Sequence, residues 1–319
     1  MSRSFEEILA LLAAENVSLP SDRLTSLSDL DRKGLERFVE VWQRLSVDRR
    51  RLLIERLGDQ ADRHIELTFE IINRHAITDP DEEVRRLAIR NLWECEDPKL
   101  VPPLLDTLRS DPSLRVRAEA AIALGRFLLL GELEKIPPQL LAEIEELFLE
   151  VIAEDPDSSL FCPCVEALGY SSRQEVIEII ERAYASSDDS RKRSALLAMG
   201  RSYNRRWVDT ILREMQSPSP ILRSEAARAA GELEMREAVP TLLELLDDVH
   251  ELVRRAAVWS LGQIGGDQAE RALSRLKARG EDPQMAQDLE DALDHISFLK
   301  GTPDFMLLDF DELDEDLTD

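Results

Sequence analysis

A Cys162-Pro163-Cys164 stretch, the pair His250-Glu251, and the histidines His64 and His75 are the residues whose types could carry metal or redox chemistry. A structural zinc takes about four ligands, usually from paired motifs, and no second cysteine pair or nearby histidine accompanies Cys162 and Cys164. His250-Glu251 occurs once and reads as a solvated helix start. On one helical face, the separation of eleven positions between His64 and His75 would put them roughly 16 Å apart at about 1.5 Å per residue, too far to share an ion. Asp188-Asp189 and Asp247-Asp248 fall at helix starts, where carboxylates favour the helix dipole. There is no phosphate loop, no Gly-x-Ser-x-Gly elbow and no Ser/His/Asp grouping in a catalytic chain context. These residues name no catalytic, cofactor-binding or metal-binding position, and the expectation is a non-catalytic chain without cofactor.

The elements that would position such residues follow a fixed period, beginning at "DPDEEVRRLAIRNLW" from Asp79 and recurring from Asp111, Asp155, Ser186, Ser217 and Asp248. The starts are 32, 44, 31, 31 and 31 residues apart, the signature of stacked supersecondary units. The seventh slot holds Arg85, Arg117, Phe161, Lys192, Arg223 and Arg254; the tenth holds Ala88, Ala120, Cys164, Ala195, Ala226 and Ala257. The fifteenth holds Trp93 and then Gly125, Gly169, Gly200, Gly231 and Gly262. The Asp-Pro opening is expected to cap a first helix, the alanine to let a neighbour approach, and the glycine to end the helix in a left-handed conformation. A second helix follows, with one apolar stripe such as Trp207, Val208, Ile211, Leu212 and Met215, or Ala238, Val239, Leu242, Leu243 and Leu246. A helix pair of this size cannot bury its stripe alone, so the units must stack. Cys164, in the alanine slot, is then a small buried residue, and Pro163 should kink or shorten its helix.

These units resemble HEAT repeats of the short bacterial type also found in phycobilisome lyases. The resemblance implies an all-α, right-handed α-solenoid of stacked antiparallel helix pairs, with first helices on the convex face and second helices lining the concave one. It also implies a ladder between repeats made by Arg85, Arg117, Lys192, Arg223 and Arg254, broken at Phe161. It points to a protein-interaction scaffold or assembly factor, with a bilin or chromophore lyase-like subunit as the alternative. Deoxyhypusine hydroxylase carries similar repeats and binds iron through His-Glu pairs near slots eight and nine, but no histidine occupies those slots here. Related DNA glycosylases present a basic groove; here the second-helix positions carry mixed signs, which argues against nucleic acid.

Residues 1–78 read as N-terminal helices with a degenerate repeat (Leu53 in the alanine slot, Gly58 in the glycine slot), and residues 14 to 29 as a polar linker. Residues 79–279 hold six repeats, 280–300 a capping helix and 301–319 an acidic-hydrophobic tail. In the Asp111 unit, "RFLLLGELEKIPPQ" lengthens the period; its Phe127 to Leu130 either forms a contact patch or extends the helix and packs. The 319 residues carry a net charge of -25, which repels phosphate and draws a protein partner with a basic surface. Three cysteines, no positively charged leader and no long apolar run indicate a cytoplasmic protein without a membrane span. The residues expected to bind the partner are Glu178, Arg182, Asp209, Arg213, Glu244, Arg271 and Arg275 on the second helices, with Phe305 and Phe310 in the tail. Acidic and apolar residues interleaved as in 304–319 suit a segment that orders on a surface.

Overall fold

The computed structural model describes residues 3–14, 18–155, 158–280 and 283–301, and every regular element among them is helical. The chain divides into two compact units, the boundary falling between Ser171 and Ser172 in the sequence. In the first lie α1 (Arg3–Ala13), α2 (Ser21–Leu24), α3 (Arg32–Trp42), α4 (Val47–Arg63), α5 (Glu70–Ala76), α6 (Glu82–Arg90), α7 (Val101–Ser110), α8 (Leu114–Glu132), α9 (Pro138–Glu154) and α10 (Phe161–Leu168). The second holds α11 (Gln174–Tyr184), α12 (Asp189–Arg201), α13 (Val208–Glu214), α14 (Pro220–Glu232), α15 (Val239–Leu245), α16 (Glu251–Ile264), α17 (Asp267–Ala278) and α18 (Pro283–Gly301). The fold is an α-solenoid of antiparallel helix pairs.

The start of each repeat is built differently from the expected cap. Helices α6, α8, α14 and α16 begin at slot four, and their N-caps are the slot-three residues Asp81, Ser113, Ser219 and His250. The slot-one aspartates instead fold the preceding turn: Asp79, Asp111 and Asp248 each accept a backbone N–H two residues on, at 3.0, 2.8 and 2.8 Å. A short polar side chain can satisfy the chain locally in this way, leaving its second oxygen for a neighbour. Of the two acid pairs, Asp188 does cap α12 by accepting from Ser190 N, while Asp248 precedes its helix.

The fifteenth-slot glycine does not end the helix in a left-handed conformation; even Gly169, the C-cap of α10, is right-handed. Gly231 and Gly262 lie inside α14 and α16, and the left-handed residue comes three positions later, at Tyr203, Glu234 and Gly265. These glycines serve close approach: a Cβ on Gly231 would lie 2.9 Å from Ser260 Cα, and one on Gly262 would lie 2.9 Å from Ala292 Cα. The tenth-slot residues Ala88, Ala120, Cys164, Ala195, Ala226 and Ala257 are all fully buried, so small residues at slots ten and fifteen let first helices stack closely. The second-helix stripe is mostly buried as well, although Val208, Leu212 and Leu243 are half-buried and Leu245 is more enclosed than the expected Leu243.

Helix α10 starts at slot seven rather than slot four, so Pro163 falls in its first turn, where no intrahelical hydrogen bond is lost. Cys164 is enclosed there, and desolvation pushes its thiol up to about 12. Cys164→Ala is therefore expected to change stability by less than about 1.5 kcal/mol, as for other small volume changes in a core. A thermal melt checks this, and stoichiometric zinc or iron that disappears in the variant would count against a purely structural cysteine.

Two local expectations are corrected. Among residues 14 to 29, those described are not a polar linker, because Leu19, Leu24 and Leu27 are buried and α2 packs beside α4. Burial of three leucines outweighs the polar residues between them. His64 and His75 share no helical face, since His64 ends α4 and His75 lies in α5 with its ring edge-on to Trp42. The long insertion extends α8, and Phe127, Leu128 and Leu130 pack inside.

Candidate functional site

In the second unit, α11, α13, α15 and α17 each bury an apolar stripe and turn a polar row outward. Glu178 and Arg182, Asp209 and Arg213, Glu244, and Arg271 and Arg275 are all exposed on this face. Side chains beside them tie successive segments together. Tyr184 on α11 donates its hydroxyl to Glu214 Oε1 at 2.5 Å and accepts from Arg213 Nη2 at 3.0 Å, with the Arg213 guanidinium over its ring. Burial and then the Glu214 carboxylate push the Tyr184 hydroxyl above its ordinary value. Arg206 reaches Glu181 at 3.1 Å while stacking on Trp207, and Arg205 pairs with Glu237. Exposed pairs like these add little stability; their effect is to orient the polar row on a fixed backing. Tyr184 and Glu214 went unnoticed in the sequence, although their separation of 30 residues is close to one period.

The seventh-slot arginines divide into two groups. Arg85 grips Asp111 with Nε and Nη2 at 2.7 and 2.9 Å, and Arg223 grips Asp248 at 2.9 and 3.0 Å. Arg117 instead donates to the Leu108 carbonyl, and Arg254 to the carbonyls of Asp248 and Val249, so neither of these contacts bridges to a following repeat. Lys192 makes no side-chain hydrogen bond or ion pair among the described residues. Arg50, in the seventh slot of the degenerate repeat, reaches the first-slot aspartate of the next repeat as an ion pair, with Nε 2.9 Å from Asp79 Oδ2. Counting back from Leu53 and Gly58 would have found it.

A second set of links occupies slots eight and nine. Arg86 reaches Glu119 at 3.2 Å, Arg193 reaches Glu225 at 3.5 Å and Arg255 reaches Asp288 at 2.5 Å, each from slot eight of one repeat to slot nine of the next. These are the slots where iron-binding His-Glu pairs would sit. Here they hold arginine opposite carboxylate, and the described residues contain no group of three or more His, Cys, Asp and Glu able to hold a metal ion. The residues present do not fit iron at these slots.

On the first-helix side, α14, α16 and α18 border a hollow of about 510 Å³ where Arg228 lies over the Trp259 ring beside His295. Arg228 and Trp259 share slot twelve of consecutive repeats, a signal the sequence carried. Phe305 and Phe310 lie outside the described residues. No helix among the described residues is long and apolar enough to cross a membrane.

Known proteins bear on both architecture and activity. One curated relative, the deoxyhypusine hydroxylase of Neurospora crassa, is 31% identical over 94 residues, 28% of this chain and 29% of that protein. The chain thus matches less than a third of the relative's length. The expectation of a non-catalytic chain is overturned by this match, because repeats of this kind occur in an enzyme and the architecture gives no ground for excluding catalysis. Human deoxyhypusine hydroxylase in complex with glycerol aligns with 92% of this chain and 97% of its own at 19% identity and a TM-score of 0.37. The CpcE and CpcF complex of phycocyanin lyase from Nostoc sp. PCC7120 aligns with 72% of this chain and 95% of its own at 16% identity and a TM-score of 0.47. Residues 74–143 and 208–294 match the family model of HEAT repeats, and these segments of the chain are HEAT repeats.

Proposed function

We propose that this protein is a binding scaffold or assembly factor that seats a protein partner on the second-helix face of residues 172–279. The observation that carries the reading is the row of exposed charges from Glu178 to Arg275, repeated on successive helices and held on a backing cross-tied through Tyr184, Glu214 and Arg205. Solenoids present extended faces of this kind, and alternating signs set the register of a partner while excluding mismatched ones. The overall charge of -25 steers a partner with a basic surface toward the chain. Arg213, Arg271 and Arg275 then meet acidic groups on that partner.

The test is affinity capture from native extracts with the wild-type chain, with a variant carrying Arg213→Glu, Arg271→Glu and Arg275→Glu, and with Arg228→Glu on the first-helix side. Recovery of a stoichiometric partner is expected to fall at least tenfold in the triple variant and to hold in Arg228→Glu, with helical circular dichroism unchanged in both. Equal recovery by the triple variant would move the interaction to another face.

A further inference from the structure

The first unit contains a cleft that neither the repeat ladders nor the second-helix face uses. It arises from unequal helix lengths: α4 runs for 17 residues to Arg63, whereas its neighbour α6 stops after 9 residues at Arg90. The last turns of α4 therefore overhang the end of α6. In the fifteenth slot, where later repeats carry a glycine that draws helices together, this repeat has Trp93, which is 57% exposed. Between Trp93 and the turn after α4 lies a hollow of about 660 Å³, with the 99% exposed Ile65 at its rim. An inner lobe continues past Glu94 toward Asn73 and Asn91.

Four carboxylates line the outer hollow, Asp59, Asp62, Glu66 and Glu94, against two guanidinium groups, Arg63 and Arg90. Asp59, Asp62 and Glu94 have no cation within ion-pair distance among the described residues, and Glu66 has only His64 nearby, at 3.7 Å. Elsewhere in this unit, Asp79, Asp81, Asp97 and Asp111 each face an arginine. The cleft thus joins an open indole face, an exposed aliphatic side chain and an excess of unpaired negative charge. An indole face attracts a cation, nearby carboxylates strengthen that attraction, and Ile65 can cover an adjacent apolar residue.

We propose that this cleft docks a basic-apolar peptide segment of a partner protein, with a Lys or Arg side chain over Trp93 among the carboxylates and an apolar neighbour against Ile65. This surface is separate from the second-helix face.

The experiment is calorimetric titration of the full chain with an amidated hexapeptide of alternating arginine and leucine, and with its glutamate-leucine counterpart. The arginine peptide is expected to bind, more weakly as salt rises, and the glutamate peptide is not. Affinity should fall at least tenfold in Trp93→Ala and in the double variant Asp62→Asn with Glu94→Gln, neither of which touches a buried residue. Glu290→Gln with Asp294→Asn, on the exposed side of α18, should leave it unchanged, which separates the cleft from the general acidity of the chain. Absence of binding to the wild type overturns the proposal. So does equal affinity in the Asp62/Glu94 variant, or an equal loss in the α18 variant.

Discussion

Gly231→Leu is expected to destabilise the protein by about 3 kcal/mol, at the upper end of what overpacking a close contact costs. The added Cβ alone would stand 2.9 Å from Ser260 Cα and 2.7 Å from Trp259 Cζ3. The backbone of α16 cannot rotate away as a flexible side chain would. Ser260 is held there because its hydroxyl donates to the carbonyls of Ala227, at 2.7 Å, and Ala256, at 2.8 Å. Separating α14 from α16 would break the link to Ala227 and leave the hydroxyl only the Ala256 carbonyl of its own helix. In a stack of repeats the damage passes to neighbours through their interfaces, so faster amide exchange is expected across α14, α16 and α18. Gln268→Leu, on the exposed face of α17, should stay within about 0.5 kcal/mol, as for most surface changes. Urea unfolding and hydrogen exchange on the two variants check this; equal tolerance at Gly231 and Gln268 would overturn the assigned packing.

Arg223→Ala is expected to cost about 2 to 3 kcal/mol, somewhat below the range for breaking a fully buried pair. Arg223 and Asp248 keep only 13% and 10% of their side-chain surface exposed. Arg223 also donates to the carbonyls of Ser217 and Pro218, so its removal strands a carboxylate and loosens the turn before α14. Burial disfavours ionisation of Asp248, but the Arg223 fork and the His250 amide outweigh it and hold the carboxyl below its ordinary value. A carboxylate depressed in the folded state stabilises the protein above its unfolded pKa, about 3.9. That contribution is lost as pH falls through the lower folded value. Wild type should therefore lose stability steeply below about pH 4. Arg223→Met with Asp248→Asn should have a shallower acid limb and recover part of the loss seen in Arg223→Ala. Urea midpoints at a series of pH values test both statements, and identical acid limbs would show that the pair contributes no linkage.

The helices, their order and their buried stripes were legible in the sequence because each depends on local periodicity. A residue at slot ten must be small in every repeat, and a second helix needs its apolar stripe whatever lies beside it. The repeat also placed Cys164 inside a core, since a cysteine in a series of alanines takes the environment of the series. Glu178, Arg182, Asp209, Arg213, Glu244, Arg271 and Arg275 stand exposed for a similarly local reason, the polar side of an amphipathic helix.

What only the tertiary structure decided lies between elements distant in the chain. A glycine near a helix end suits both a left-handed cap and a close approach; Gly231 was settled by Ser260 of the next helix, about one repeat further on. The slot-eight and slot-nine links needed the stacking of first helices, which brings Arg255 to Asp288 across 33 residues. Residues 19 to 27 looked polar because burial of three separated leucines depends on the neighbouring helices. The cleft at Trp93 exists because α4 outruns α6. Periodicity along one helix is fixed by its own residues, whereas the gap between two helices is set by how both their lengths and their contacting side chains meet.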